Sequence, residues 1–235
     1  MCGRYVSASP PDQIAAYFDA TLSVAALPAN YNVAPTDDVY AVVDAPNGRH
    51  LDIFRWGLVP GWAKDPKIGQ KMINSRAETI AQKPAFRSIF AKYRCIIPAD
   101  GFYEWTTDTT RRDAKGKPVK QPHYIRRLDG EPLALAGLWS RWRDPAVLPG
   151  TSDRLVSASI ITTTANATMA AIHNRMPVMV PASRWADWLA PATDPSTLGQ
   201  LLVPAPEGLL TINAVSTDVN SVRNNDDHLI RPVSI

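Results

Sequence analysis

The chain has 235 residues, of which 45% are hydrophobic and 20% charged, and its formal net charge is +3. These values are ordinary for a soluble globular protein, and the mild positive charge does not by itself imply a nucleic-acid partner. No run of about 18 apolar residues occurs, so no transmembrane helix is predicted, and the first residues lack the charged and apolar regions of a secretory signal.

Short runs of alternating or β-branched residues predict eight strands. In chain order they are Val39–Val43, His50–Trp56, Tyr93–Pro98, His123–Arg127, Leu133–Trp139, Ser157–Thr163, Pro177–Val180 and Leu209–Val215. Apolar residues at helical spacing predict fewer helices, all of them short. They are Pro11–Phe18, Ala77–Gln82, Ala85–Phe90, Ala165–Ile172, Ala182–Leu189 and Pro195–Leu202. The 21 prolines are spread along the chain, and they argue against a helical bundle because proline interrupts helices.

Two polar segments, Thr106–Gln121 and Asp144–Asp153, are predicted to be surface loops. Neither resembles a domain linker, because strand-like sequence continues on both sides. We therefore expect a single domain over residues 1–235. Its predicted fold class is α+β, dominated by short antiparallel strands that form a curved sheet or a barrel-like core, with a few peripheral helices.

The second residue is Cys2, so removal of Met1 would make a cysteine N-terminal. Its thiol and free α-amine would then be partly in their nucleophilic forms near neutral pH. The amine can condense with an aldehyde to an imine, and the thiolate can close onto the imine carbon as a thiazolidine. Cys2 is predicted to be such an aldehyde trap or an amidase-type N-terminal nucleophile, although it could also be a small buried hydrophobe.

Two tryptophans flank a Gly/Pro turn in the segment from Arg55 to Trp62. Trp56 ends a predicted strand, so we expect it in the core. Trp62 lies beyond the turn and is the better candidate for exposure. An exposed tryptophan of this kind can serve as a stacking platform for a nucleic-acid base.

The polar segment from Asn74 to Thr79 precedes a predicted helix. Asn74 or Ser75 could cap that helix, with Glu78 completing a capping box, and the motif alone favours this interpretation. Arg76 could pair with Glu78 or bind a phosphate. Arg87 could add a second phosphate contact.

Glu104 stands between aromatic residues in Gly101-Phe102-Tyr103-Glu104-Trp105. A carboxylate in such surroundings suits a general acid–base, although it could equally be a salt-bridged structural residue. His173 follows a predicted helix and is separated from Arg175 by one residue. Lone histidines are more often structural, but here an imidazole and a guanidinium could be presented together at a loop.

The sequence predicts no metal site and no cofactor. The four histidines are scattered, and neither CxxC nor HExxH occurs. No glycine-rich nucleotide-binding pattern is present either. The two cysteines, Cys2 and Cys95, form no disulfide framework and fit a reducing cytosol.

Taken together, these segments resemble the SRAP family (SOS response-associated peptidases, also called abasic-site processing proteins). The similar segments occur in family order over most of the chain. They are Met1-Cys2-Gly3-Arg4, Tyr31-Asn32-Val33-Ala34-Pro35-Thr36, Arg55-Trp56-Gly57-Leu58-Val59-Pro60, Asn74-Ser75-Arg76-Ala77-Glu78-Thr79, Arg94-Cys95-Ile96-Ile97-Pro98, Gly101-Phe102-Tyr103-Glu104-Trp105, Thr162-Thr163-Thr164-Ala165-Asn166 and His173-Asn174-Arg175-Met176-Pro177.

The resemblance implies a protein that crosslinks covalently to abasic sites in single-stranded DNA and so shields them from strand cleavage. Cys2 would form a Schiff base with the sugar aldehyde and then close the thiazolidine. Glu104 would transfer protons at the sugar and during crosslink reversal, and His173 would assist ring opening and imine chemistry. Asn74 would orient the Cys2 amine or the sugar.

The resemblance also implies the DNA contacts. Arg76 and Arg175 would hold phosphates beside the lesion, with Arg87 as a further contact, and Trp62 and Trp105 would contact or stack on flanking nucleotides. The segment around Asn32 would shape the cleft near the N-terminus, and the role of Thr106–Gln121 stays open. The protein would act as a monomer in the cytoplasm, associated with the nucleoid or with replication.

The family name also implies a peptidase activity, which would remove Met1 by self-processing; a general aminopeptidase could do the same. The main alternative is an N-terminal-nucleophile cysteine amidase or peptidase that acts on a separate substrate. Such an enzyme would need an oxyanion hole, which the sequence does not reveal. A third hypothesis is a non-covalent single-strand binder in which Cys2 is incidental.

Overall fold

The computed structural model describes residues 2–112, 115–146 and 154–234, which contain thirteen strands and five short α-helices. The strands are β1 (Arg4–Ser7), β2 (Ala20–Leu22), β3 (Asn30–Val33), β4 (Asp38–Ala45), β5 (Gly48–Trp56), β6 (Asn74–Arg76), β7 (Arg94–Ala99), β8 (Gly101–Arg112), β9 (Pro118–Arg127), β10 (Leu133–Arg143), β11 (Arg154–Thr164), β12 (Arg175–Pro177) and β13 (Leu210–Ala214). The helices are α1 (Pro11–Tyr17), α2 (Arg87–Phe90), α3 (Ala167–Ala170), α4 (Trp185–Leu189) and α5 (Pro195–Leu201). None of the helices in these ranges is long and apolar enough to cross a membrane.

The first sheet has five strands in the order β13-β9-β8-β1-β3, and every pairing in it is antiparallel. β1 lies between β3 and β8, where Tyr5 faces Val33 on one side and Phe102 on the other. Because β1 begins two residues after Cys2, this sheet positions the N-terminal cysteine.

The second sheet has the order β12-β11-β10-β7-β4-β5-β2. β11 also pairs with β5 in parallel, at Ser157 with Arg55 and at Ala158 with Trp56. This pairing closes five of the strands into a small barrel-like core. The expected fold class, α+β with antiparallel strands and a barrel-like core, is confirmed.

Alternate residues of the second sheet enter two cores, as the two-residue period of a strand requires. Ile97 of β7 packs in the same cluster as Cys2 and Phe102, on the side of the first sheet. Its neighbour Ile96 packs in the cluster that contains Trp185 of α4 and the apolar residues of α1. Both faces are thereby covered, and Cys2 lies between the two sheets.

The prediction that Thr106–Gln121 is a loop was wrong. Thr106 pairs with Gln121 and Thr107 with Lys120, so β8 and β9 continue through most of this segment as a hairpin. This part of β8 is rich in threonine, and the side chains beyond Thr106 are largely exposed, so no apolar alternation marks the hairpin. Of Asp144–Asp153, residues 144–146 lie outside the strands, and residues 147–153 fall outside the described ranges.

The predicted helices exist but are shorter. Ala77–Gln82 contains only a 3₁₀ helix at Ala77–Thr79. Ala165–Ile172 is helical only in α3, which begins after its cap Asn166. Strands β1, β2, β3 and β6 were missed because three or four residues are too few to show a period, and β8 was missed over its whole length.

Candidate functional site

Cys2 lies two residues before the start of β1, and its side chain is fully buried between the sheets. Its thiol lies 3.9 Å from the carbonyl oxygen of Arg4 and can donate a weak hydrogen bond to it. Burial, and secondarily the negative charge of Glu104, raise the pKa of the Cys2 thiol far above its ordinary value. The thiol is therefore protonated at neutral pH, and its reaction requires a neighbouring base.

Asn74 holds the backbone of Cys2. It lies in β6, which pairs in parallel with β11, and its Nδ2 donates to the carbonyl oxygen of Cys2 at 2.7 Å. Its Oδ1 is buried and has no hydrogen-bond partner among the described residues. One half of the carboxamide thus positions Cys2, and the other half is an acceptor beside it.

The capping interpretation of Asn74 and Ser75 was wrong. Both residues belong to β6, and the 3₁₀ helix that follows has Arg76 at its N-cap with no side-chain cap. Trp56, the expected core tryptophan, is fully buried, and its Nε1 donates to the carbonyl oxygen of Ile73 at 3.0 Å. This bond anchors the chain one residue before Asn74.

Glu104 is buried in β8, where its register partner in β9 is His123. Its carboxylate is close enough to the Cys2 thiol to raise the thiol pKa. His123 was missed because the sequence showed only scattered histidines. It is buried, with its Nε2 2.9 Å from Thr106 Oγ1, and burial lowers its pKa.

The side chain of His173 is held by the backbone of Arg175. The backbone N–H of Arg175 donates to His173 Nδ1 at 2.9 Å, so a neutral His173 ring carries its proton on Nε2. The peptide N–H of His173 in turn donates to the carbonyl oxygen of Met169 at the end of α3. These bonds fix the imidazole relative to β12.

The guanidinium of Arg175 already has protein partners. It donates to both carboxylate oxygens of Glu78, at 2.5 and 3.0 Å, and to the carbonyl oxygen of Thr162 at 2.6 Å. Glu78 therefore pairs with Arg175 and not with Arg76, and these bonds lower the pKa of Glu78. In the sheet, Thr162 pairs with Arg76 of β6 and with Pro177 of β12, while Arg175 pairs with Thr164.

The remaining site residues predicted from the sequence are exposed or half-buried. Trp62 is 64% exposed, as expected, and Arg76 and Arg87 are exposed. Trp105 is half-buried, and its Nε1 donates to Asn220 Oδ1 at 2.7 Å. It lines a cleft of about 760 Å³ that also contains Arg4 and Lys120.

Arg4 is a site residue that received no role from the sequence. Its Nη1 donates to Asn32 Oδ1 at 2.7 Å and to the carbonyl oxygen of Val219 at 3.0 Å. The Nδ2 of Asn32 donates to backbone carbonyls of Val219, Ser221 and Asn224. Asn32 thus ties the C-terminal segment to an arginine of the cleft, a contact between residues too distant in sequence for a local motif to show.

The described residues thus bring Cys2, Asn74 and Glu104 together and join His173 to Arg175. Within these same ranges, no group of three or more His, Cys, Asp or Glu side chains is placed to hold a metal ion. The arrangement offers a thiol, a buried carboxylate and a buried amide oxygen. These groups suit proton transfer and covalent addition at the N-terminus.

Comparisons with known proteins extend over nearly the whole chain. A family model described as SOS response associated peptidase (SRAP) matches residues 1–222. The abasic site processing protein YoqW of Bacillus subtilis (strain 168) is 41% identical over 233 residues, which cover 98% of this chain and 99% of YoqW. The abasic site processing protein YedK of Escherichia coli (strain K12) is 27% identical over 240 residues, covering 99% and 100%. The crystal structure of a protein from Bacteroides thetaiotaomicron has a TM-score of 0.86 and 25% identity, covering 99% of this chain and 100% of that one.

Proposed function

The chain belongs to the SOS response-associated peptidase family, and from this premise we propose that it processes abasic sites in single-stranded DNA by forming a covalent crosslink through Cys2. The names of the relatives support the abasic site as the lesion. The observation that carries the covalent step is the placement of Cys2 beside Asn74 and Glu104.

The proposed reaction begins with removal of Met1, which exposes the α-amine of Cys2. The amine attacks the aldehyde carbon of the ring-opened deoxyribose, and loss of water leaves an imine. The Cys2 sulfur then bonds to the imine carbon while the thiol proton passes to the imine nitrogen, which closes the thiazolidine. The ring contains no imine, so it lacks the electron sink for β-elimination and protects the strand from breakage.

Glu104 is the proposed acid–base residue. Because burial keeps the Cys2 thiol protonated, closing the ring requires a group that takes the thiol proton. The Glu104 carboxylate is near enough to influence that thiol and can return the proton to nitrogen. The same transfers in reverse would release the DNA.

Asn74 is proposed to position the reacting groups, and His173 is proposed to assist a proton transfer. The Oδ1 of Asn74 can accept a hydrogen bond from the freed amine of Cys2 or from a sugar hydroxyl, because its Nδ2 is already bonded to Cys2. His173, held by the backbone N–H of Arg175, is proposed to move a proton during sugar ring opening.

The proposed DNA contacts divide into two groups. Arg76 is exposed beside Asn74 and can take a phosphate directly. Arg175 would bind phosphate only by loosening its bonds to Glu78. Trp62, Trp105 and Arg87 are proposed to contact flanking nucleotides. We further propose that the protein works as a monomer in the cytoplasm near the nucleoid, and that peptidase chemistry is confined to removing Met1.

Intact-mass spectrometry tests this function, with the protein measured before and after incubation with single-stranded DNA that carries one abasic site. We expect loss of Met1 and then a DNA-sized gain that survives heating without borohydride. A Cys2→Ala variant should lose the heat-stable adduct, whereas Cys95→Ala, the matched variant of the other cysteine, should keep it. A heat-stable adduct with Cys2→Ala would refute the mechanism. Amide turnover by processed protein without any adduct would support the N-terminal-nucleophile alternative.

A further inference from the structure

One hairpin carries a clear excess of positive charge. Residues 106–121 contain five of the 25 basic residues but only two of the 22 acidic ones. This excess of three equals the formal net charge of the whole chain, so the other residues are balanced. The hairpin is therefore one of the positively charged segments that can attract a polyanion at long range.

The hairpin extends from the site outward. We term its residues 106–112 and 115–121 the hairpin arm. Glu104 is buried at its base, and Arg112 is exposed near its tip. Their register partners in β9 are His123 and Pro118, only five residue steps apart, because the register of β8 shifts between Asp108 and Arg112. The arm therefore reaches about 17 Å from the acid–base residue. Lys115 and Lys117, beyond Arg112, are exposed as well.

One face of the arm continues into the cleft beside Arg4. Trp105 and Thr107 lie on the same face of β8 because side chains alternate along a strand. Lys120 pairs with Thr107 and donates to its Oγ1 at 2.7 Å. Lys120 and Arg111 line the cleft of about 760 Å³ together with Arg4 and Trp105. Positive side chains thus run from the cleft to the tip of the arm.

The composition of the arm indicates what it contacts. Residues 106–121 contain no aromatic side chain, so they offer no platform for stacking unpaired bases. Lysine, arginine and threonine are the usual partners of phosphate oxygens and carry no base specificity by themselves. Asp108 is the only acidic residue among the described residues of the arm, and its carboxylate lies 3.9 Å from Arg111.

We propose that the hairpin arm is a second nucleic-acid contact, in which Arg111, Arg112, Lys115, Lys117 and Lys120 bind the phosphodiester backbone outside the nucleotides held at Cys2. This inference rests on the proposed function, because it places the lesion at the base of the arm. The flanking backbone can be single-stranded or part of a duplex, and both present the same phosphates. The arm binds without reading sequence and lengthens the DNA segment that the protein holds.

The test measures binding of processed protein to abasic-site oligonucleotides across a salt series. One oligonucleotide ends within a few nucleotides of the lesion, one has long single-stranded flanks, and one has duplex flanks. The test variant combines Arg112→Gln, Lys115→Gln and Lys117→Gln at the exposed tip. On the flanked DNA that occupies the arm, the slope of log affinity against log salt should fall by about 2 for a single strand or about 2.7 for a duplex. The affinity difference between variant and unaltered protein should grow with flank length.

A second triple variant, Lys92→Gln, Arg143→Gln and Arg154→Gln, removes the same charge from exposed positions of β10, β11 and the segment before β7. It should retain the full slope on flanked DNA. Equal slopes for unaltered protein and arm variant, or equal losses for both triple variants, would overturn the proposal. Absence of a crosslink between unaltered protein and the short oligonucleotide would instead refute the proposed function, and this outcome is read independently of the arm.

Discussion

Asn74 illustrates how much a single side chain can decide at this site. Replacing it by alanine removes the hydrogen bond to the Cys2 carbonyl and the buried Oδ1 acceptor together. We expect the crosslinking rate to fall by about tenfold to a hundredfold, corresponding to about 1–3 kcal/mol for a lost buried partner. Single-turnover crosslinking on a short abasic-site strand measures the loss.

Two companion variants separate the halves of the Asn74 carboxamide. Asn74→Asp keeps an acceptor oxygen but cannot donate to the Cys2 carbonyl. If its crosslinking rate is closer to that of the unaltered protein than to that of Asn74→Ala, the main role belongs to Oδ1. Ser75→Ala is the matched control. Its hydroxyl is also buried and has no partner among the described residues, so crosslinking should be unchanged. A comparable loss with Ser75→Ala would mean that disturbance of β6, and not the amide, is responsible.

Glu78 offers a second prediction at this scale. Glu78→Gln removes one charge of the pair with Arg175, whose side chain is only 13% exposed. With its acidic partner gone, the guanidinium should exchange more readily onto phosphate, so we expect tighter binding of single-stranded DNA, by about two- to fivefold. Titration at low salt measures it. Weaker binding would show that Glu78 is needed to hold Arg175 in place.

The sequence indicated which side chains are candidates for the site but not which residues they contact. Cys2 and Glu104 were identified from residue type and from the segments around them. The engagement of Arg175 with Glu78, and of Arg4 with Asn32, depends on strands that meet only in the fold. A residue type indicates what a side chain can do, whereas its partners are set by contacts between distant segments.

At the scale of elements, the β8–β9 hairpin depends on a glycine at its base. A Cβ at Gly101 would lie 2.4 Å from the ring of Tyr124 and 2.6 Å from the carbonyl oxygen of Ile125. We therefore expect Gly101→Ala to push β8 from β9 and to destabilise the fold by about 1–3 kcal/mol, as overpacking does. Denaturant unfolding measures this cost. Gly130→Ala is a useful comparison, because no atom lies within 4 Å of its Cβ, although its φ of +81° adds strain of its own. Equal costs would show that crowding at Gly101 is not decisive.

Strand prediction succeeded for several longer segments with an apolar pattern and failed for the exposed outer part of the β8–β9 hairpin. The strands Leu133–Trp139 and Ser157–Thr163 were recognised because apolar residues mark their buried face, and the structure extends both to longer strands. Thr106–Gln121 forms strands through backbone pairing alone, without a buried face that hydrophobicity could reveal. The strand predicted at Pro177–Val180 lies earlier in the chain, as β12 at Arg175–Pro177. Val178 nevertheless donates its N–H to the carbonyl oxygen of Ile161.

At the scale of the whole molecule, buried thiol and phenol groups make the folded state less stable as the pH becomes alkaline. Burial raises the pKa values of Cys2, Cys95, Tyr5, Tyr103 and Tyr124. Above about pH 8.5 the unfolded chain releases thiol protons that the folded chain keeps, so stability is full below that pH and falls as the pH rises. By pH 10 each thiol should cost about 2 kcal/mol. Denaturant midpoints between pH 7 and 10 should show a shallower decline for Cys95→Ala; an identical decline would contradict burial as the cause.

We also propose that the chain unfolds as one domain. The pairings β4–β7, β7–β10 and β5–β11 join residues 38–56 to residues 94–164 within one sheet. Far-ultraviolet circular dichroism and tryptophan fluorescence should therefore report one coincident transition. Two separated transitions would indicate independent units. Light scattering on the same sample measures the molar mass and so tests the proposal that the protein is a monomer.

The burial of Cys2 beside a strand enclosed on both sides has a consequence for biosynthesis. Because Cys2 is fully buried in the folded chain, we expect a separate aminopeptidase to act most readily before β1 acquires its neighbour β8, which ends at Arg112. A ribosome adding about 5–20 residues per second takes about 6–22 s to reach that point. We therefore propose that removal of Met1 by an external enzyme competes with the pairing of β1 and β8, and that a chain in which this pairing forms first matures through its own site.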